Sequence, residues 1–352
     1  MRVYRCVLKV ISPMIIGNER TSRGFYTTTD VIPGHTVGGA VNRALQRGTS
    51  PDSILISSPA YPVSDGHETL PAHPFYYECK VCEGRVFSTL DDEKLRMHIQ
   101  SGWDSIKARL VALRDVDSHP VRSLHPGPVV PEKGGEVRVT TQLVISVGID
   151  KHTAASQYGL LFEYLAIEPG QEYWFTLASR GGIDIPNEFE VQIGRGISRG
   201  YGRALVKVKE ADSNPSIPYS ADGEVLLYAI SPVPLRFVSE PINIRECAVR
   251  YGLDVVDGEL EMLRIGDRPA AFGSIRVSVA GWPYGAPSSR ERIESLSSGS
   301  IIVCRWRSRP SSPDGALAAL RYFGIPLLLD SGYVEGLCML HPFEREPLKE
   351  VR

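Results

Sequence analysis

One short pattern occurs twice in this chain and constrains its fold more than any other feature. Residues 8–13 read Leu-Lys-Val-Ile-Ser-Pro, and residues 227–232 read Leu-Tyr-Ala-Ile-Ser-Pro. Each copy is an apolar strand that runs into Ser-Pro, and each opens a segment with further strand signals. Two explanations fit the repetition: a duplicated βαββαβ unit, or coincidence, because proline is common where strands end.

The segment around the first copy has the pattern of a strand followed by a helix. Between residues 3 and 11, apolar side chains alternate with basic ones, which predicts a strand with one buried face. Ile32-Pro33-Gly34 then turns the chain into a helix, with Thr36 as its predicted N-cap. Val37 and Val41 fall on one side of that helix.

Composition divides the chain of 352 residues into two domains. A polar linker with two prolines, 211–223, separates a first domain, 1–210, from a second, 224–352. Residues from about 49 to 135 are predicted to form a large insertion in the first domain. The insertion is rich in Pro, Gly, Ser and His at both ends, and it contains one predicted helix at about 91–113.

The overall charge limits which partners are plausible. The net charge is −2 and the sequence pI is about 6.5, which argues against binding to random nucleic acid. A nucleic-acid site therefore has to be a local basic patch. The scattered cysteines and the lack of a signal-peptide pattern or a membrane-length apolar run predict a cytoplasmic protein with reduced thiols and no membrane association.

The densest basic patch is a glycine-rich segment at 193–209. It contains three arginines and two lysines and no acidic residue. The predicted RNA-binding residues in it are Gly194, Arg195, Gly196, Ser198, Arg199, Gly200, Tyr201, Gly202, Arg203 and Lys207. Glycines let a backbone approach a ligand closely, successive amides can form an anion nest, and arginine forks match phosphate. Tyr201 is expected to stack on a base or to pack the loop.

Two other interpretations fit parts of this segment. A dinucleotide-binding turn is disfavoured, since that fingerprint should open a helix and this sequence continues as a strand. A solvated hairpin loop stays open as an alternative. Arg20 and Arg23 are added as candidate RNA contacts. His35, beside the Pro-Gly turn, has the chemistry for acid–base cleavage of RNA, although a hydrogen-bonding role is the commoner one.

Two further patterns could carry chemistry. Cys79 and Cys82 have the spacing of half a zinc site, and His67 and His73 precede them as candidate ligands. The alternative is a pair of free thiols in a hairpin. Near the C-terminus, the alternation Arg305, Arg307, Arg309 places three cations on one face of a predicted strand, as a second basic surface or as a solvated edge.

Taken in order, three segments resemble the CRISPR-associated RAMP superfamily. They are residues 11–36 with the Ile32-Pro33-Gly34 turn, residues 159–202 with the glycine-rich loop, and residues 281–336. The Ser-Arg-Gly-Tyr-Gly part of the loop is the most specific element. The context of the first turn is most similar to the type III-D subunit of the Cas5-like group.

The resemblance implies an α+β fold of two ferredoxin-like (RRM-type) βαββαβ domains, the first with the large insertion. It also implies a non-catalytic subunit that grips the 5′ handle of the CRISPR guide RNA and contacts the large signalling subunit and backbone RAMP subunits of a type III effector complex. A metal-independent endoribonuclease using His35 is the runner-up, and a protein-interaction subunit whose loop never touches RNA is the third hypothesis. No cofactor is expected apart from a structural zinc. The second glycine-rich loop, at 330–336, has no cation and is expected to support structure.

Overall fold

The computed structural model describes residues 1–22, 25–46, 54–82, 86–88, 118–130, 135–150, 152–153, 155–180, 183–210, 224–253, 257–279, 292–329 and 332–342. The predicted helix at 91–113 and the predicted linker at 211–223 lie outside these residues. The chain is mostly β-sheet with few helices, which makes it an α+β protein.

The N-terminal region, residues 1–210, contains one α-helix, α1 (Gly34–Ala44), and a 3₁₀ turn, Ile197–Arg199, within the part that the structure describes. Its strands are β1 (Arg2–Val10), β2 (Gly17–Ser22), β3 (Phe25–Thr28), β4 (Ile56–Ser57), β5 (Tyr61–Ser64), β6 (His67–Glu68), β7 (Leu70–Pro71), β8 (Tyr76–Cys79), β9 (Val86–Ser88), β10 (Val121–Ser123), β11 (Pro128–Val129), β12 (Thr141–Ile149), β13 (Ser156–Ile167), β14 (Glu172–Ser179), β15 (Glu188–Gln192) and β16 (Arg203–Glu210).

The C-terminal region, residues 224–342, carries the helices α2 (Arg236–Ser239), α3 (Ile244–Tyr251) and α4 (Pro313–Tyr322). Its strands are β17 (Glu224–Ala229), β18 (Val233–Pro234), β19 (Ile242–Asn243), β20 (Glu259–Met262), β21 (Arg264–Ile265), β22 (Arg268–Pro269), β23 (Ala271–Phe272), β24 (Ile275–Val279), β25 (Arg292–Leu296), β26 (Ile301–Ser308), β27 (Leu327–Leu329), β28 (Gly332–Val334) and β29 (Leu340–Pro342).

Both copies of the repeated pattern are central strands of a sheet. The N-terminal sheet has the order β15-β16-β1-β14-β5-β6, and β1 pairs antiparallel with β16 and β14. The C-terminal sheet has the order β19-β20-β26-β17-β29, and β17 pairs antiparallel with β26 and β29. The two strands therefore occupy equivalent positions, each leaving its sheet through Ser-Pro.

The alternation in β1 has the predicted result. Tyr4, Cys6, Leu8 and Val10 are all buried, whereas the basic side chains between them are exposed. Helix α1 packs Val37 and Val41 into the same core. It begins at Gly34 after Pro33, so the prediction that Thr36 is the N-cap was wrong; its backbone N–H already donates to the Pro33 carbonyl.

The first strands of the predicted insertion are part of the main N-terminal sheet. Strand β4 and strand β5 both pair with β14, so residues 56–64 belong to the main sheet. The following strands, β8 to β10, form a small sheet of their own in the order β10-β8-β9. The described part of the predicted insertion is therefore divided among the main sheet, this small sheet and a two-stranded sheet of β7 and β11.

Residues of both regions contribute to one hydrophobic cluster, which is separate from the cluster that contains β1 and α1. Val3, Ile56 and Tyr61 of the N-terminal region lie in the same buried cluster as β17, β26 and α4. The Tyr61 hydroxyl donates to the Ile230 carbonyl, and the Tyr228 hydroxyl donates to the Pro71 carbonyl, across the boundary. Among the described residues, no helix has the length and apolar character needed to cross a membrane.

Candidate nucleic-acid interface

The glycine-rich loop joins β15 to β16 and is held against the segment that follows β1. The Arg195 N–H donates to the Ile15 carbonyl (2.9 Å), and the Gly202 N–H donates to the Pro13 carbonyl (2.9 Å). The Ser12 hydroxyl oxygen accepts from the Arg203 N–H at 2.9 Å. The loop therefore has a fixed position, in contrast to the solvated hairpin that the sequence left open.

Two glycines make this close approach sterically feasible. Gly194 and Gly202 have φ of +90° and +74°, which L side chains rarely adopt. A Cβ atom at Gly194 would overlap the Ile15 carbonyl oxygen, and one at Gly202 would overlap the Ile193 carbonyl oxygen. These glycines thus allow different segments of the backbone to pack closely against each other. The sequence had suggested that they allow the close approach of a ligand.

Most of the loop amides are already used inside the protein. Besides the amides of Arg195 and Gly202, the Arg199 N–H (2.8 Å) and the Tyr201 N–H (3.3 Å) donate to the Gly196 carbonyl. The Gly200 N–H donates to the Ile197 carbonyl at 3.0 Å. These amides are therefore not available to form the anion nest that the sequence predicted, and any phosphate contact would have to come from side chains.

Two arginines of the loop lie over a cluster of tyrosines. The Tyr26 and Tyr164 rings are stacked, with centroids 5.1 Å apart and an interplanar angle of 14°. The Arg195 guanidinium carbon is 4.9 Å from the Tyr26 centroid, and that of Arg199 is 5.7 Å from the Tyr164 centroid and 5.6 Å from the Tyr201 centroid. At exposed sites such cation–π contacts contribute about 0.5–1 kcal/mol each.

The tyrosine cluster explains how the two arginines are held. Both arginines are exposed, and among the described residues neither has a carboxylate within salt-bridge distance. A guanidinium stacked on a ring keeps its N–H edge available for a planar or tetrahedral anion. Tyr201 is half-buried against the cluster of Ile15 and Tyr164, so it packs the loop.

Tyr26 and Tyr164 were not among the predicted site residues. Tyr26 lies on β3 and Tyr164 on β13, and the register of these parallel strands makes them direct neighbours. Each is far from the loop in sequence, and only the pairing of β3 with β13 brings them together. Both tyrosines lie in segments that carry the family resemblance, and this was the one feature of the sequence that could have identified them as site residues.

The remaining predicted cations of the loop are paired with glutamates of the neighbouring strand. Arg203 contacts Glu190 at 3.0 Å, and Lys207 contacts Glu188 at 3.5 Å. Carboxylates from β15 therefore lie beside the cations of β16, along the face that was expected to be basic. These glutamates precede residues 193–209 in the sequence, so the count of charges in that segment did not include them. Ser198 is exposed within the 3₁₀ turn.

The other predicted residues lie at different places. Arg20 is paired with Tyr26 in the register of β2 and β3, which sets it next to the tyrosine cluster; Arg23 lies outside the described residues. His35 is half-buried in the first turn of α1, where its backbone N–H lies 3.1 Å from the position of a Cβ at Gly336. Gly336, which follows β28, thus packs on the start of α1.

The second basic surface is also paired with acids. Arg305 contacts Glu261, and Arg307 lies 3.9 Å from Glu259, both glutamates being on the adjacent strand β20. Arg309 is exposed just beyond β26.

The candidate metal ligands separate into two groups. Cys79 and Cys82 lie close together, and the third donor beside them is His119, which the sequence analysis missed. His67 pairs with Ser64 in a different hairpin, and His73 is fully buried beside Phe75 and Tyr76. Burial lowers the pKa of His73 to about 3.

The comparisons with known proteins gave matches among solved structures alone. No family profile and no curated protein matches the chain. A chain of the type III-B Cmr-beta complex bound to cognate target RNA and AMPPnP matches with a TM-score of 0.48 and 14% identity, over 85% of this chain and 86% of that chain. In the complex bound to cognate target RNA, the TM-score is 0.46 at 14% identity, over 86% of each chain.

A chain of a type IV-B CRISPR complex matches with a TM-score of 0.28 and 12% identity, over 62% of this chain and 95% of that chain. Because each of these TM-scores is under 0.5, the function proposed below rests on the residues of the interface. The matched chains come from CRISPR complexes.

Proposed function

We propose that this chain is an RNA-binding structural subunit of a type III CRISPR effector complex. In this role it grips the 5′ handle of the guide RNA and contacts the large signalling subunit and a backbone subunit. The observation that carries the proposal is the pair of exposed arginines, Arg195 and Arg199, held over stacked tyrosines on a rigid loop.

The chemistry of this pair suits a nucleic-acid backbone. Each guanidinium offers forked donors to phosphate oxygens, and the tyrosines beneath restrict its orientation, so less side-chain entropy is lost on binding. A chain with net charge −2 would bind RNA through such a local patch.

The sheet that carries the tyrosines supports a second contact, with protein. Leu143, Ile145, Val147 and Ile149 alternate along β12 and are all exposed, and Leu161 faces Val147 from β13. Exposed apolar strips of this kind mark interaction sites. They lie on the face opposite to Val144 and Tyr164, so RNA and a neighbouring subunit would bind to opposite faces of one sheet.

The strand orders support the ferredoxin-like architecture that we infer for both regions. In the C-terminal region, β17, α3, β20, β26, α4 and β29 follow in βαββαβ sequence with the sheet order β20-β26-β17-β29. In the N-terminal region, β1, α1, β5, β14 and β16 give the equivalent order β5-β14-β1-β16, with β15 between the last two along the chain.

The test compares two double variants in the native host. The tagged chain is purified with its partners, and bound RNA is sequenced and quantified. Wild type should recover small RNAs that share a repeat-derived 5′ end, together with a large subunit. Arg195→Ala with Arg199→Ala should lower RNA recovery at least tenfold. Arg203→Ala with Lys207→Ala removes the same charge from glutamate-paired positions and should have a much smaller effect.

The salt dependence of binding gives an independent measure. Each phosphate contact to single-stranded RNA contributes a slope of about 0.7 in log affinity against log salt, so loss of both arginines should flatten the slope by about 1.4. Equal RNA recovery and equal slopes for the two double variants would contradict the assignment. Partners recovered without RNA from the wild type would favour the protein-interaction hypothesis instead.

A further inference from the structure

Three potential metal ligands lie close together at the end of the small sheet β10-β8-β9 where Cys79 pairs with Val121. Cys79 ends β8, Cys82 lies in the turn after it, and His119 precedes β10. The His119 Nδ1 atom is 3.3 Å from the Cys82 sulfur and 3.8 Å from the Cys79 sulfur. The three donor atoms all lie within 4.8 Å of one another.

These separations match the spacing of ligands around zinc. With Zn–S of about 2.3 Å and Zn–N of about 2.0–2.1 Å, a tetrahedral ion separates a sulfur from a nitrogen by about 3.6 Å. The two observed sulfur–nitrogen distances, 3.3 and 3.8 Å, bracket this value. Two thiolates and an imidazole form a soft donor set, which prefers zinc to magnesium or calcium.

The turn between the cysteines is shaped for a thiolate. The amides of Val81 and Cys82 both point at the Cys79 sulfur, at 3.4 and 3.1 Å. Two N–H donors on one sulfur stabilise its anionic form, which is the form that binds metal. Cys79 is only 4% exposed, whereas Cys82 and His119 are half-buried, so an ion could enter from their side.

We propose that Cys79, Cys82 and His119 bind a Zn²⁺ ion that ties the start of β10 to the end of β8. The two strands pair over only three residues each, from Cys79 opposite Val121 to Tyr77 opposite Ser123. Such a short pairing gains from a metal crosslink, because the ion links segments 37 and 40 residues apart.

Metal analysis of the full chain tests the site. The protein is purified with a histidine-free tag from zinc-supplemented culture, and zinc is measured by mass spectrometry. Wild type should hold about one zinc per chain, and a mercurial reagent that modifies thiols should release it. His119→Asn and Cys82→Ser should each lower the zinc content at least tenfold.

His67→Asn is the matched control, since His67 lies in another hairpin and should leave the zinc content unchanged. If a ligand variant fails to fold, cobalt titration of the metal-free wild type still decides the question, because thiolate ligation produces charge-transfer absorption. Wild type without zinc, absence of that absorption, or full zinc in His119→Asn would each overturn the proposal. The Arg195→Ala, Arg199→Ala variant should keep its zinc, so failure of RNA binding and failure of metal binding can be told apart.

Discussion

At the scale of single residues, the loop separates two kinds of cation that sequence alone treats alike. Arg195 and Arg199 are stacked on tyrosines, whereas Arg203 and Lys207 face glutamates on the next strand. Exposed salt bridges contribute little to stability, but the nearby carboxylates cancel the local positive charge that would attract phosphate. On the proposed function, RNA binding by the loop therefore depends mainly on the first two arginines.

The glycines of the loop give a prediction at the same scale. Gly202→Ala should lower the free energy of unfolding by about 2 kcal/mol or more, since the new Cβ would both overlap the Ile193 carbonyl and require a strained φ. Gly200→Ala meets open space and should cost about 1 kcal/mol, from its φ of +87° alone. Chemical denaturation of both variants measures the difference. Equal destabilisation would argue against the close backbone contact.

At the scale of elements, β12 and β13 form a hairpin whose two faces have opposite character. Val144 packs with Tyr164 on one face, and the exposed aliphatic strip runs along the other. The alternation of apolar residues along β12 can be read from the sequence, whereas the direction in which those residues point cannot. Successive residues of a strand point to opposite faces of the sheet. Which face of β12 and β13 is covered depends on where β3 and the glycine-rich loop pack.

A charge placed in the aliphatic strip should disturb assembly and leave the fold intact. Ile145 is 60% exposed, so Ile145→Glu should change the free energy of unfolding by less than about 0.5 kcal/mol. Recovery of partner subunits in the pull-down should fall several-fold. Val249→Glu is the control, because Val249 is equally apolar and 72% exposed but lies on α3. Unchanged recovery in Ile145→Glu would remove the strip from the proposed interface.

At the scale of the whole molecule, His125 links the N-terminal region to the C-terminal region. Its Nδ1–H donates to the Ala72 carbonyl at 2.7 Å. Its Nε2 accepts from the Ser274 N–H at 3.2 Å and from the Ser297 hydroxyl at 2.9 Å. A proton on Nε2 would face these donors, so the arrangement requires neutral imidazole. Burial, followed by the charge of Arg276, lowers the pKa of His125 to about 4 from 6.5.

This linkage predicts a loss of stability in mild acid. The unfolded chain binds the proton below about pH 6.5 and the folded chain only near pH 4, so the contribution is present above pH 6.5 and is lost as the pH falls. The expected slope for this group is about 1.4 kcal/mol per pH unit in that window. His125→Gln should be less stable at pH 7 but should show a shallower decline, measured by denaturation between pH 7 and pH 5. The exposed His152→Gln should keep the wild-type slope, and an unchanged slope in His125→Gln would contradict the linkage.

The sequence by itself determined the first strand and its buried face, the repeated Ser-Pro pattern and the position of the glycine-rich loop. These follow from local periodicity and from residues with restricted or permissive backbones, which act over a few neighbours. Only the tertiary structure decided that Tyr26 and Tyr164 support the arginines, that Glu188 and Glu190 neutralise β16, and that His119 completes the cysteine pair in place of His67 and His73. Each of these contacts joins residues on different strands, and strand register depends on the packing of the whole chain, which no local pattern encodes.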